Sequence, residues 1–182
     1  MKHLFLKGEK LAEKLAAIAM PFMALFFIIC SLNSLAQTNT WMQKNDLGYD
    51  AVNIPEPSAR SGAVGFSIGS SGYVGTGNSA LGYSKDFWEY DSVNDTWSQK
   101  ADFGGIARAY AVGFPIGSKG YIGTGSTSSG LVKDFWEYDP ATNLWTQKAD
   151  FGGQARRSAV GFNIVLKGYI GTGYSLDVLG NH

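Results

Sequence analysis

A period of 48 residues organises this 182-residue chain. Arg60, Arg108 and Arg156 stand 48 apart, as do Tyr73, Tyr121 and Tyr169, and Trp97 and Trp145. Residues 60–107, laid without a gap over 108–155, match at about 30 of 48 positions. A repeat of this length is one supersecondary unit used again, and each copy buries its apolar face only by stacking on a neighbour.

Four short strands are predicted in each period. The first covers 62–68 and again 110–116, where Val64, Phe66 and Ile68 (Val112, Phe114 and Ile116 in the copy) alternate with small residues at the period of a strand. Glycine-rich turns at 69–72 and 117–120 close a hairpin onto a second strand at 73–76 and 121–124. The third strand is Asp86-Phe87-Trp88-Glu89-Tyr90-Asp91, copied residue for residue at 134–139. Pro140 fits the turn that follows but could not continue a central strand. A fourth strand, 96–100 and 144–148, runs into a glycine-rich linker that leads to the next arginine. The third copy proceeds as far as Gly173 and then diverges. At the other end, Trp41-Met42-Gln43-Lys44 matches Trp97-Ser98-Gln99-Lys100 and is expected to be an orphan fourth strand within a 37–59 segment that also holds a long linker.

The N-terminus reads as an export signal. Lys2, Lys7, Lys10 and Lys14 precede an apolar run over 15–32, and Ser34 and Ala36 occupy the small-residue places of a cleavage site. A signal peptide over 1–36 therefore predicts a periplasmic, outer-surface or secreted protein, with a membrane met only through that segment before cleavage. A retained anchor is the alternative, because the run is about as long as the shortest spanning helix, ~17 residues. Residues 37–182 carry 11 Lys and Arg against 13 Asp and Glu, a net charge of −2. That balance gives no basic track for nucleic acid. Cys30 lies in the signal and His3 and His182 at the two ends, so no metal site, thiol chemistry or cofactor is expected.

The order of Arg, Gly-Tyr-Ile-Gly-Thr-Gly, Trp-Glu-Tyr-Asp-Pro and a further Trp resembles the kelch repeat, over roughly residues 41–173. The resemblance implies an all-β, incomplete kelch-type β-propeller: two full four-stranded blades at 60–107 and 108–155, flanked by partial ones, the last at 156–182. In it, Trp88, Tyr90, Trp97, Trp136, Tyr138 and Trp145 are structural blade-core residues. Each can bury ~150–250 Å². So few strands do not close a ring, which predicts a truncated product or self-association over open blade faces. One family difference is Gly-Thr-Gly at 75–77, 123–125 and 171–173, where an adjacent glycine pair is usual.

The family's geometry also places candidate sites. Arg60, Arg108 and Arg156 would ring one loop face and could hold a carboxylate or acidic sugar in bidentate fashion. The competing role, which the sequence favours, is a structural ion pair with Asp102, Asp150 or a neighbouring glutamate. Tyr83 lies in the variable 78–84 loop, whose composition, like that of 126–132, suits adaptable contacts. Paired carboxylates for catalysis are available only among residues that recur once per repeat, the pattern of structural residues. The expected function is thus a non-enzymatic, exported scaffold binding protein or carbohydrate through its loop face. The rivals are an enzyme acting on an acidic sugar, similar to a sialic acid mutarotase, and a truncated product without function. Galactose oxidases share the kelch-like fold, but their copper ligands and cysteine-linked tyrosine have no counterpart here.

Overall fold

The computed structural model describes residues 41–44 and 59–176; the expected signal over 1–36 and most of the linker lie outside them. All of the described regular structure is β, and every strand pairing is antiparallel. Two four-stranded sheets follow chain order. The first comprises Val64–Ile68, Ser71–Gly75, Phe87–Asp91 and Thr96–Lys100, and the second Val112–Ile116, Lys119–Gly123, Phe135–Asp139 and Leu144–Lys148. Among the described residues a third unit has the hairpin Val160–Ile164 with Lys167–Gly171 and a short pairing of Arg156–Arg157 with Tyr174–Ser175. The sequence expectations for the eight strands of the two complete sheets are met to within two residues at each boundary.

Turn chemistry sets the registers. Ile68 pairs with Ser71 and Ile116 with Lys119, leaving two-residue turns whose first position is Gly69 (φ 59°) or Gly117 (φ 58°). Such turns match the twist of the flanking strands and need positive φ. In the third hairpin the same place is held by Val165, at φ 54°, although a β-branched side chain is poorly suited to that region. Between the third and fourth strands, the carboxylates of Asp91 and Asp139 accept backbone N–H groups from Val93 (2.8 Å) and Ala141 (2.9 Å), closing each turn locally.

Consecutive units pack by side chains on one against glycines on the next. A Cβ added at Gly113 would lie 2.2 Å from Val64, and one at Gly120 2.4 Å from Phe66. The next junction repeats this: Gly161 faces Val112 at 2.3 Å and Gly168 faces Phe114 at 2.4 Å. Between the first two sheets lies the main core, with Val64, Tyr73, Phe87, Phe103, Ile122 and Tyr138 buried. A smaller cluster around Val112, Phe114 and Phe135 joins the second sheet to the third hairpin. On the far side of that hairpin the corresponding residues Val160, Phe162 and Ile164 are exposed.

Two expectations are corrected. Residues 41–44 form no strand, and Trp41 is fully exposed; without ladder hydrogen bonds, four residues have nothing to hold them extended. The segments 78–84 and 126–132 are tight rather than adaptable. Asn78–Ser79 pairs with Gly82–Tyr83, and Ser126–Thr127 with Gly130–Leu131. The Ser79 and Thr127 hydroxyls receive the N–H groups of Leu81 and Ser129, each at 3.1 Å.

Candidate functional site

Each repeat starts with an arginine, and in the second the surroundings come from the linker just before it and from two later segments of its own repeat. Arg108 is fully buried. Its Nε donates to the Ile106 carbonyl at 3.0 Å and Nη1 to the Thr124 carbonyl at 2.9 Å. Nη1 and Nη2 also form a fork onto Asp134, at 2.7 and 2.8 Å. The guanidinium carbon sits 4.7 Å from the Phe103 ring centre. Asp134 takes a further bond from Trp136 Nε1 at 2.8 Å. Arg60 makes the equivalent fork onto Asp86, Nη2 to Oδ2 at 2.8 Å, and Trp88 Nε1 donates to the same carboxylate at 2.9 Å.

These pairs fix both the role and the partner of the arginines. The carboxylates are Asp86 and Asp134, one residue before the third strand, not the Asp102 or Asp150 expected from the sequence; both of those are exposed. Burial pushes the Asp134 carboxyl up, but hydrogen bonds from Arg108 and Trp136 and the arginine's charge outweigh it and hold the group below the usual range. Asp86 is depressed for the same reasons, with Ser84 as an added donor. The expectation of a ligand-facing Arg108 fails on its burial, since every side-chain nitrogen already has an acceptor inside the protein. Arg60, 9 % exposed, is nearly as enclosed.

Arg156 differs. Its Nε donates to Gln154 O at 3.2 Å, Nη1 to Thr172 O at 2.6 Å, and it lies 5.0 Å from the Phe151 ring centre, reproducing the Arg108 cradle. No carboxylate among the described residues completes it. Tyr83 is half-buried, its hydroxyl 3.2 Å from Ser126 Oγ, so it ties one repeat's loop to the next.

The aromatic positions divide by repeat. Tyr138 and Trp145 are packed between the sheets, with Trp145 about 5 Å from the rings of Phe87, Phe103 and Tyr138. Tyr138 donates to Asn143 at 2.9 Å, and burial pushes its hydroxyl up to about 12. Trp88 is buried and Trp136 half-buried. Tyr90 and Trp97, expected in the core, are only half-buried: their rings meet at 4.9 Å with a 43° tilt, and among the described residues no sheet precedes theirs.

An open groove of about 1170 Å³ lies beside the second repeat's loops. Ser129, Lys133, Asp150, Gly152, Gly153 and Gln154 contribute to its wall. The backbone there is fixed by Phe151 N–H to Lys133 O at 2.8 Å and Arg156 N–H to Val132 O at 3.3 Å. One ammonium, one exposed carboxylate, an amide and accessible glycine backbone can hydrogen-bond a polar ligand of either charge sign. Among the described residues no cluster of three metal-ligating side chains occurs.

No family model matches the sequence, and no curated protein matches it. Among solved structures, that of YjhT is similar, at a TM-score of 0.54 and 24% identity over 63% of this chain. The likeness is one of fold. The matched part spans 34% of YjhT, about a third of its length.

Proposed function

We propose that the chain is a kelch-type β-propeller segment, exported after loss of residues 1–36, that serves as a binding scaffold for protein or carbohydrate. Residues 60–107 and 108–155 are its blades in this reading. The observation that carries it is the open groove on the loop side of the second repeat, where Lys133, Asp150 and Gln154 stand among apolar residues such as Ile106 and Leu131, next to arginines that are engaged within the protein. Groups that would serve catalysis are structural: Asp86 and Asp134 neutralise buried guanidiniums, and the tryptophans fill sheet junctions. A glycan array probed with the full chain and with Lys133→Ala/Gln154→Ala tests this. A glycan signal lost in the variant supports it; signals unchanged by the variant move binding elsewhere.

The second reading, an enzyme acting on an acidic sugar, is favoured by one observation, the Arg156 guanidinium with no carboxylate among the described residues. Exchange between the anomers of sialic acid, followed by proton NMR, decides between them. Catalysed exchange that is lost in Arg156→Ala would replace the scaffold reading.

A further inference from the structure

The open edge of the Lys167–Gly171 strand carries every feature that holds a third strand in the two complete sheets. There, the second strand is bonded on both sides, and its outer partner begins Asp-Phe-Trp-Glu-Tyr-Asp. Register is fixed: Gly123 faces Phe135, Ile122 faces Trp136, Tyr121 faces Glu137 and Gly120 faces Tyr138. The first sheet repeats it, with Gly75 facing Phe87 and Tyr73 facing Glu89. Four side-chain contacts go with this ladder. The arginine forks onto the leading Asp, the strand's tyrosine donates to Glu (Tyr73 to Glu89 at 2.8 Å, Tyr121 to Glu137), and a glycine admits the Phe ring. In the second sheet Lys119 also pairs with the final Asp139.

The third hairpin presents the same four elements with the outer strand missing among the described residues. Arg156 is held on Gln154 O, Thr172 O and the Phe151 ring, the counterparts of the groups that position Arg108, and no carboxylate among the described residues takes the place that Asp134 has in the second sheet. Gly171 stands where Gly123 stands. A Cβ at Gly123 would meet the Phe135 ring at 1.9 Å, whereas one at Gly171 meets nothing within 4 Å. Tyr169 and Lys167 are exposed in place of Tyr121 and Lys119.

We propose that this edge is an acceptor for an extended acidic–aromatic segment, which adds as an antiparallel strand with its leading Asp on Arg156, its Phe over Gly171, its Glu on Tyr169 and its last Asp at Lys167. Main-chain bonds supply the attachment and the alternate side chains the selection. Charge complementarity points the same way: cations stand at both ends of the edge, and the segment bears carboxylates at both ends and in the middle. This site lies on a sheet edge and meets the loop groove at Gln154, whose carbonyl holds Arg156.

The test is a fluorescein-labelled peptide copying residues 133–140, titrated into the full chain by anisotropy. Saturable binding is expected, with a scrambled peptide much weaker. Replacing the peptide's leading Asp by Asn weakens binding roughly tenfold or more, the scale of a charge-assisted fork, and has little further effect on Arg156→Lys. Gly171→Val blocks the Phe pocket and removes binding; open space around that position lets the variant fold, checked by circular dichroism. Equal binding of the scrambled peptide, or undiminished binding to Gly171→Val, overturns the proposal. So does association between copies of the chain that displaces no peptide while the peptide itself fails to bind.

Discussion

Asp134→Ala separates a structural arginine from a ligand-binding one. The substitution leaves Arg108, wholly buried, with Nη2 unpaired and Nη1 reduced to the Thr124 carbonyl, and it also deprives Trp136 Nε1 of its acceptor. Breaking one side of a buried, hydrogen-bonded pair costs about 3–5 kcal/mol. The other two repeats grade the effect. Asp86→Ala strands an arginine that is 9 % exposed, so water recovers part of the loss and roughly 2–3 kcal/mol is expected. Arg156→Ala removes no ion pair with a described residue, and the loss of its exposed bonds to Gln154 and Thr172 costs about 1 kcal/mol. Urea unfolding followed by tryptophan fluorescence gives all three values by linear extrapolation. Replacing the pair together, Arg108→Met with Asp134→Leu, returns most of the stability because no charge is left buried. A loss under about 1 kcal/mol for Asp134→Ala, or equal losses at the three repeats, refutes the assignment of the pair as the structural centre of each unit.

Other outcomes follow from the same geometry. Because the Asp86 and Asp134 carboxyls are held below their unfolded values, their stabilisation is complete above the ordinary carboxylate range near ~4 and is lost as pH falls through their lower folded values; acid melts of the wild type should show a drop in Tm there that is smaller in Arg108→Met/Asp134→Leu, which keeps only the Asp86 share of the two. Val165→Gly relieves a β-branched residue at φ 54° and should stabilise the third hairpin by about 1 kcal/mol, seen as slower amide exchange at Lys167 and Gly168. The exposed Val160–Phe162–Ile164 face favours self-association, and Phe162→Lys should weaken it roughly tenfold or more in sedimentation equilibrium, since burying a Phe is worth ~1.5–3 kcal/mol. A wild type that stays monomeric at high concentration removes that expectation. N-terminal sequencing of exported protein should begin at Gln37; a start at Met1 in the membrane fraction would identify a retained anchor instead.

Strand positions were legible because alternation and paired glycines are local signals. Val64, Phe66 and Ile68 declare a face, and Gly69 declares the turn after it. The arginine's partner was not, because the Arg108–Asp134 contact spans 26 residues and crosses the top of a sheet. Asp150, nearer the next arginine in sequence, attracted the expectation, yet its linker turns it to solvent. The signal was present all the same: Arg, Asp and a Trp two residues after that Asp recur at one fixed spacing, and both polar groups converge on one carboxylate. Tyr90 shows a different limit. It is identical in context to Tyr138, but burial depends on what precedes the first sheet, and local sequence does not encode that. The stretch at 41–44 carried a good fourth-strand pattern without the neighbour that makes such a pattern a strand.

The glycine-to-side-chain junction has a genetic consequence. Gly113 and Gly120 receive Val64 and Phe66, and Gly161 and Gly168 receive Val112 and Phe114 in the same way. Each boundary therefore joins a unit to its successor by one shared rule, to which the first junction adds contacts of its own such as Tyr83 with Ser126. A recombination event that inserts or deletes 48 residues, wherever in the period it breaks the chain, regenerates the same boundary on both sides. Copy number can thus drift while the glycine contacts at every remaining interface stay intact, and the 30 matching positions of residues 60–107 and 108–155 are what such an event leaves behind.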